Sequence, residues 1–261
     1  MKDGSGTHVC IQESPAPNPA ERAAEAEEVC RAKTEFLSRV SHEMLTPMNA
    51  IMGMAQIAKI SGGPSATMDC VDEIGRASKQ LLRMIHDLLD MSDLTRGGFR
   101  LCDSVFSVDA MLESILKEAR GKAAEKGQTI LYAPDPQIPA ALVGDEKRLA
   151  QALANLLANA VKFTPEGGEI RLSVWLLSSE GDKAVLQIEV ADNGIGIPAE
   201  MQNAIFRTFE QADGGAARKH GGVGLGLSLS KHIAEMMGGE IRIESKPGQG
   251  AKVSFTCKLG L

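Results

Sequence analysis

The sequence predicts a multidomain chain, α then α/β: an antiparallel helical hairpin that pairs with a second copy as a dimeric four-helix bundle, then an α/β sandwich of helices on a sheet. Three observations carry this expectation. Apolar residues recur every three or four positions from Glu21 to about Ser61 and again from about Met68 to Thr95, the period of two long amphipathic helices. "SGGPSAT" separates the two patterns with turn-forming residues. Beyond about residue 105, β-branched runs alternate with further helical stretches, the pattern of a sheet packed against helices.

Residues 1–20 are rich in Gly, Ser, Pro and Asn and read as a tail or linker. The hairpin domain spans 21–95. Its first helix carries Leu37, Val40, Met44, Met48, Ile51, Ala55 and Ala58 on one stripe. In the second, Val71, Ile74, Ser78, Leu81, Ile85, Leu88 and Ser92 alternate steps of three and four, a heptad seam. One hairpin cannot bury both stripes, so a homodimer is expected. "TRGGFRLCDS" marks a linker at 96–104, and the α/β domain follows at 105–261. Helices are predicted from about Val108 to Lys126 and from Glu146 to Phe163. Strands are predicted in "QTILYA", "EIRLSVWLL", "AVLQIEVAD", "GEIRIES" and "AKVSFTCKL".

Composition narrows the function. A net charge of -6 with both signs interspersed offers no basic footprint for nucleic acid or a membrane surface. No uninterrupted run of about 18 apolar residues is present, so no membrane contact is expected from this chain. Cys10, Cys30, Cys70, Cys102 and Cys257 are scattered, with no CxxC pair and no His at metal spacing, which fits a reduced cytoplasmic setting.

"FLSRVSHEMLTPMNA" holds the first candidate site. His42 lies two residues from both Val40 and Met44, off the apolar stripe and toward water. A neutral imidazole, with a reference pKa of roughly 6.5, is a nucleophile that is largely uncharged at pH 7. Glu43 beside it is placed to take a ring proton. Pro47 supplies no N–H to the carbonyl of Glu43, so a bend is expected at the turn bearing His42. Taken alone, this is a solvated histidine on a bent helix.

A second site is expected in the α/β domain. Asn155, Asn159 and Lys162 step by four and three and share one strip of a helix, beside the apolar stripe of Leu149, Leu153, Leu156 and Ala160. Asn is a mediocre helix former, so two in a helix interior ask for a reason. An amide oxygen suits Mg²⁺, and a lysine one turn on neutralises phosphate. In "VADNGIGIPAE", Gly194 and Gly196 permit a tight turn, and Asp192 at the strand end selects an amino group such as adenine's. "KHGGVGLGLSLSKHIAEMMGG" runs from a glycine cluster into a helix, an anion-binding start matching neither the GxGxxG nor the GxxxxGK[ST] spacing. Between these motifs, "MQNAIFRTFEQADGGAARKH" reads as a lid in which Arg218 and Lys219 are solvated charges or phosphate contacts.

In chain order, "SHEMLTPMNA", "NLLANAVKFT", "DNGIGIP", "FRTFEQAD", "GGVGLGL" and "GQGAKVSF" resemble the H, N, first-glycine, F, second-glycine and third-glycine boxes of sensor histidine kinases, over about residues 30 to 258. The resemblance implies a dimerisation and histidine-phosphotransfer domain followed by a Bergerat-type ATP-binding domain like those of gyrase, Hsp90 and MutL. By it, His42 accepts the γ-phosphoryl group of Mg·ATP, Glu43 is its orienting base, and the phosphate passes to an aspartate on a response regulator receiver domain. Asn159 ligates Mg²⁺, with Asn155 and Lys162 supporting metal and phosphates. Asp192 binds adenine, with Gly194 and Gly196 beside it, and Gly222, Gly224 and Gly226 lie along the phosphates. Phe206 and Phe209 match the F box, and Gly248 and Gly250 the third glycine box. Thr46 falls in a Glu-x-x-Thr pattern with which relatives position water to dephosphorylate the regulator. Three positions depart from the family pattern. Leu45 stands where Arg is common, Val223 where Thr or Ser is frequent, and Ala251 where Ser or Thr is common. A nucleotide-binding dimeric scaffold without kinase activity and a gyrase-like or Hsp90-like ATPase module are the competing functions.

Overall fold

The computed structural model describes residues 19–60, 63–202, 204–206 and 224–261. Helix α1, Pro19–Ile60, runs unbroken through Pro47, which is buried. Ser41 and Thr46 each turn a hydroxyl back onto the carbonyl four residues earlier, Leu37 and His42 respectively. Such bonds are typical of Ser and Thr inside helices. Helix α2, Pro64–Thr95, starts on a proline, whose missing N–H costs nothing in a first turn.

α1 and α2 pack as the expected hairpin, but the predicted seam of α2 divides between two faces. Cys70, Ala77 and Met91 are buried, with Ile74, Leu81, Met84 and Leu88 half-buried beside them. Val71, Ser78 and Ile85 are exposed, as are Leu45, Met48 and Met52 of α1 and Leu82 and Leu89 of α2. The apolar surface of each helix is therefore wider than one partner covers.

The remaining elements are β1 Ser104–Ser107, α3 Val108–Ala124, β2 Thr129–Pro134, β3 Ala141–Gly144, α4 Glu146–Phe163, β4 Glu169–Glu180, β5 Lys183–Asp192, a short α5 Ala199–Gln202, a 3₁₀ turn Ala204–Phe206, α6 Gly226–Met236, β6 Ile241–Ser245 and β7 Ala251–Gly260. β1 and β3 are short strands that the sequence pattern did not reveal. The sheet order is β1-β3-β7-β5-β4-β2, with β6 paired to β7, and only β2 and β4 run parallel.

The sheet and helices share one core. Ala184, Leu186, Ile188 and Val190 of β5 are buried while the alternating Val185, Gln187 and Glu189 are half-exposed, the period-2 signature of a sheet covered on one face. Leu112 and Leu116 of α3, Leu149, Leu153, Leu156 and Leu157 of α4, and Leu229 and Ile233 of α6 fill the opposing layer. Ser230 is fully buried and donates to the carbonyls of Gly226 and Ala152, tying α6 to α4. Cys257 lies inside the same core, and burial pushes its thiol up to about 12, so it acts as a small apolar filler. Among the described residues, no helix is long and apolar enough to cross a membrane.

Leu153 is wholly inaccessible in this layer. Leu153→Ala should destabilise the α/β part by about 2–5 kcal/mol, the range for emptying a leucine-sized volume in a packed core. Urea unfolding followed by the single tryptophan, Trp175 on β4, reads this directly.

Candidate functional site

Helix α4 begins at a side-chain cap, Asp145, whose Oδ1 accepts from the N–H of Arg148 while Oδ2 accepts from the N–H of Cys102. Its far end is held with equal care. Lys126 donates to the carbonyls of Val161 and Lys162, and the buried Gln128 amide donates to those of Val161, Thr164 and Pro165. These bonds satisfy carbonyls that a helix end leaves open and fix the last turn, which carries Lys162. Burial lowers the pKa of Lys162, the Glu43 carboxylate opposes that shift, and Lys126 adds to it.

The predicted strip of Asn155, Asn159 and Lys162 lies half-buried along α4. Asn155 donates its amide to the carbonyl of Gly226 at 3.2 Å, so the first residue of α6 and the polar strip meet. A Cβ on Gly226 would make ordinary contact, 3.4 Å from the Asn155 amide carbon, so the two elements pack closely here without a clash. Gly224 precedes it with φ 77, in the left-handed region that favours glycine.

The turn after β5 closes against the other end of α4. The N–H of Ile195 reaches the carbonyl of Phe163, and a Cβ on Gly194 would fall 2.6 Å from that same oxygen. Gly196 has φ 69, and a Cβ there would lie 2.0 Å from the carbonyl of Lys246. Asp192 accepts on Oδ1 from the N–H groups of Gly194 at 2.8 Å and Ala251 at 3.3 Å, which orients the carboxylate. The third-glycine turn braces this arrangement: Gly248 donates to the carbonyl of Ile195, and a Cβ on Gly250 would meet the carbonyl of Asp192 at 1.9 Å. Ala251 serves through its backbone alone, so the missing hydroxyl at this position removes none of these bonds.

The structure thus places Asn155, Asn159 and Lys162 along the C-terminal half of α4, with Gly226 against Asn155, Gly224 just before it, and the turn of Asp192, Gly194 and Gly196 against the helix end at Phe163. Gly222, Val223, Phe209, Arg218 and Lys219 lie outside the described residues. Phe206 ends the 3₁₀ turn, half-buried. His42 is exposed on α1, with Thr46 exposed one turn beyond it. Glu43 is half-buried on a different side of the helix, and among the described residues no hydrogen bond joins it to His42.

Sequence reasoning missed a second group of residues, which joins the two halves. Arg148 pairs with Asp90 of α2 at 2.5 Å, and Gln151 donates to Asp87 and Asp90. The linker residue Phe99 is buried, with the Arg148 guanidinium 4.3 Å over its ring and His232 edge-on to it. Leu225 packs against Val40 and Met91, flanked by Met44, Leu88 and Leu94. A signal existed: Asp87 and Asp90 step by three on one helix, as do Arg148 and Gln151 on another, and Phe99 is a lone aromatic in a glycine-rich linker.

The chain is thus built in two parts, a helical hairpin that exposes a histidine and a one-sided sheet whose helix layer meets a glycine-braced cradle. Family models agree with both parts: residues 32–97 match the "His Kinase A (phospho-acceptor) domain" and residues 144–261 the "Histidine kinase-, DNA gyrase B-, and HSP90-like ATPase". Over 237 residues the chain is 37% identical to the sensor histidine kinase AruS of Pseudomonas aeruginosa, covering 91% of this chain and 24% of that protein. It is 34% identical over 236 residues to the signal transduction histidine-protein kinase BarA of Escherichia coli K12, covering 90% and 26%. The crystal structure of full-length ShkA in complex with AMPPNP superposes with a TM-score of 0.62 at 29% identity, covering 87% of this chain and 46% of that one. The chain belongs to the sensor histidine kinases of two-component systems. It spans about a quarter of the length of these two curated relatives.

Burial holds the Asp192 carboxyl above its ordinary value of 3.8, against the lowering pull of the Gly194 and Ala251 N–H groups. A raised folded value means that ionisation costs stability. The contribution is present below about pH 4 and lost as pH rises through the raised value. Asp192→Asn keeps an oxygen for both N–H groups, so it should melt above the wild type at pH 7, with the difference closing as pH falls towards 4. Thermal melting across that range checks the sign.

Proposed function

We propose that the chain is the catalytic core of an ATP-dependent protein-histidine kinase, acting as a homodimer, in which His42 takes the γ-phosphoryl group of ATP and passes it to an aspartate of a response regulator receiver domain. The observation that carries this reading is the convergence of the α4 strip, the Asp192 turn and Gly224–Gly226 on one cradle, in a chain whose hairpin exposes His42. The domain boundaries that go with it are 21–95 for the hairpin, 96–104 for the linker and 105–261 for the ATP-binding part. The exposed Leu45, Met48, Met52, Val71, Leu82 and Leu89 support pairing with a second copy, since neither hairpin helix is covered by the other alone.

Asp192 accepts a hydrogen bond from the adenine amino group, its carboxylate already oriented by two backbone donors. Guanine would present a carbonyl to that carboxylate and leave the pair unmatched, at a cost of about 1–3 kcal/mol. The left-handed glycines keep side chains out of the space where the nucleotide lies. Among the described residues no cluster of three His, Cys, Asp or Glu could hold a metal. Asn159, an amide oxygen on the strip, fits Mg²⁺, which takes one or two protein oxygens and completes its shell with phosphates and water. An ion held there would supply charge neutralisation to the phosphates. Asn155 supports that position and Lys162 adds positive charge along the phosphates.

A ring nitrogen of His42 forms the N–P bond as the bond from the γ-phosphorus to the bridging oxygen breaks and ADP leaves. Glu43 takes the proton from the other ring nitrogen, which keeps the attacking lone pair free and adds about 10²–10⁴-fold. Thr46, on the side of α1 that carries His42, positions a water against the regulator's aspartyl phosphate in the reverse, phosphatase direction.

Incubation with γ-labelled ATP and Mg²⁺ should place acid-labile phosphate on the wild type and none on His42→Gln. Asp192→Ala should bind ATP at least about tenfold more weakly, the loss of one buried charge-assisted hydrogen bond. Tight nucleotide binding with no label on the wild type would instead establish the non-enzymatic scaffold.

A further inference from the structure

Asp192 takes its two backbone donors from different turns, Gly194 after β5 and Ala251 after the turn that follows β6. One side chain joins those turns. Ser245 is the last residue of β6 and pairs in register with Ala251, the first of β7. Its Oγ accepts from the N–H of Ile197 at 2.8 Å and donates to the carbonyl of Gly250 at 2.6 Å, which uses the one proton a hydroxyl has. Gly250 and Ala251 share a single planar peptide unit, so the carbonyl that Ser245 holds and the N–H that reaches Asp192 cannot rotate independently. Gln202 of α5 locks the same join a second time, donating its amide to the carbonyls of Ile197 at 3.1 Å and of Ser245 at 2.8 Å. Both backbone polar groups of Ile197 are thereby engaged by these two side chains.

Resting on the reading of Asp192 as the acceptor of the adenine amino group, we propose that Ser245 and Gln202 are positioning residues for base recognition, fixing through the Gly250–Ala251 peptide the direction in which the Asp192 carboxylate accepts. The bonds run head to tail, from the Ile197 N–H to the Ser245 hydroxyl, from that hydroxyl to the Gly250 carbonyl, and from the Ala251 N–H to Asp192. Bonds aligned in this way polarise and strengthen one another. Loss of the hydroxyl breaks the chain in its middle and lets the peptide turn. Gly250, at φ 80 and without a side chain, is the flanking residue that resists such a turn least. Asn155, Asn159 and Lys162 stand on α4, outside this chain of bonds, so the effect is selective: recognition of the base suffers and the phosphate side does not.

The test is isothermal titration of the full chain with Mg²⁺ and either ATP or purine riboside triphosphate, which lacks the amino group. The parent carries His42→Gln so that no phosphoryl group is transferred during the titration. It should bind ATP at least about tenfold more tightly than the riboside analogue, the effect of one charge-assisted hydrogen bond, and Asp192→Ala should erase that preference. Ser245→Ala should bind ATP about three- to tenfold more weakly, while its affinity for the riboside analogue stays within about twofold of the parent. Ser245→Thr keeps the hydroxyl and should restore the preference. Gln202→Met, of similar length but without amide donors, should shift the preference in the same direction, and it replaces Ser245→Ala should that variant not fold. A parent that binds the two nucleotides alike sinks the assignment of Asp192 to adenine, and the positioning role with it. A discriminating parent whose Ser245→Ala variant discriminates equally well, or loses affinity equally for both nucleotides, overturns the positioning role alone.

Discussion

Helix α4 is the constraint on which the rest of the molecule depends. Its buried face, Leu149, Leu153, Leu156, Leu157 and Ala160, is locked into the layer over the sheet, and that fixes its rotation about its own axis. Once the rotation is fixed, Asn155, Asn159 and Lys162 have only one direction in which to point. The same rotation turns Arg148 and Gln151 toward α2 at the opposite end. A single hydrophobic stripe thus orients both the polar strip and an interface between two halves of the chain.

The cradle around α4 is built mainly from backbone. Gly194, Gly196 and Gly250 each sit where a side-chain carbon would strike a carbonyl oxygen, so the turn after β5, the turn before β7 and the end of α4 interlock at van der Waals distance. Asp192 is positioned by this interlock through two N–H groups and accepts a partly desolvated charge in return. A carboxylate held in that state is costly on its own and gains from an external donor. The fold therefore orients this carboxylate through backbone donors alone.

Much of this was legible in the sequence because the relevant signals are local. The strip on α4, the glycines after Asp192 and the long helices of the hairpin follow from period, propensity and turn chemistry within a few residues. The strands β1 and β3, four residues each, carry too little alternation to be read. The α2 seam was read as one stripe, but Ala77 and Cys70 are small enough to be buried against α1 while Val71 and Ile85 remain outside. Residue size and the partner's position decide that, and period alone does not. The contact of Asp90 with Arg148 spans 58 positions, and the three-residue steps on each helix do not say which distant partner they meet.

The central claim is that the buried stripe of α4 orients the polar strip and, with the turn after Asp192, forms the nucleotide cradle. Hydrogen–deuterium exchange of the full chain, with and without a non-hydrolysable ATP analogue and Mg²⁺, tests it most directly. The account predicts slower exchange at 155–163 and 192–196 when the analogue is bound. Exchange unchanged at both segments while the analogue binds would contradict it.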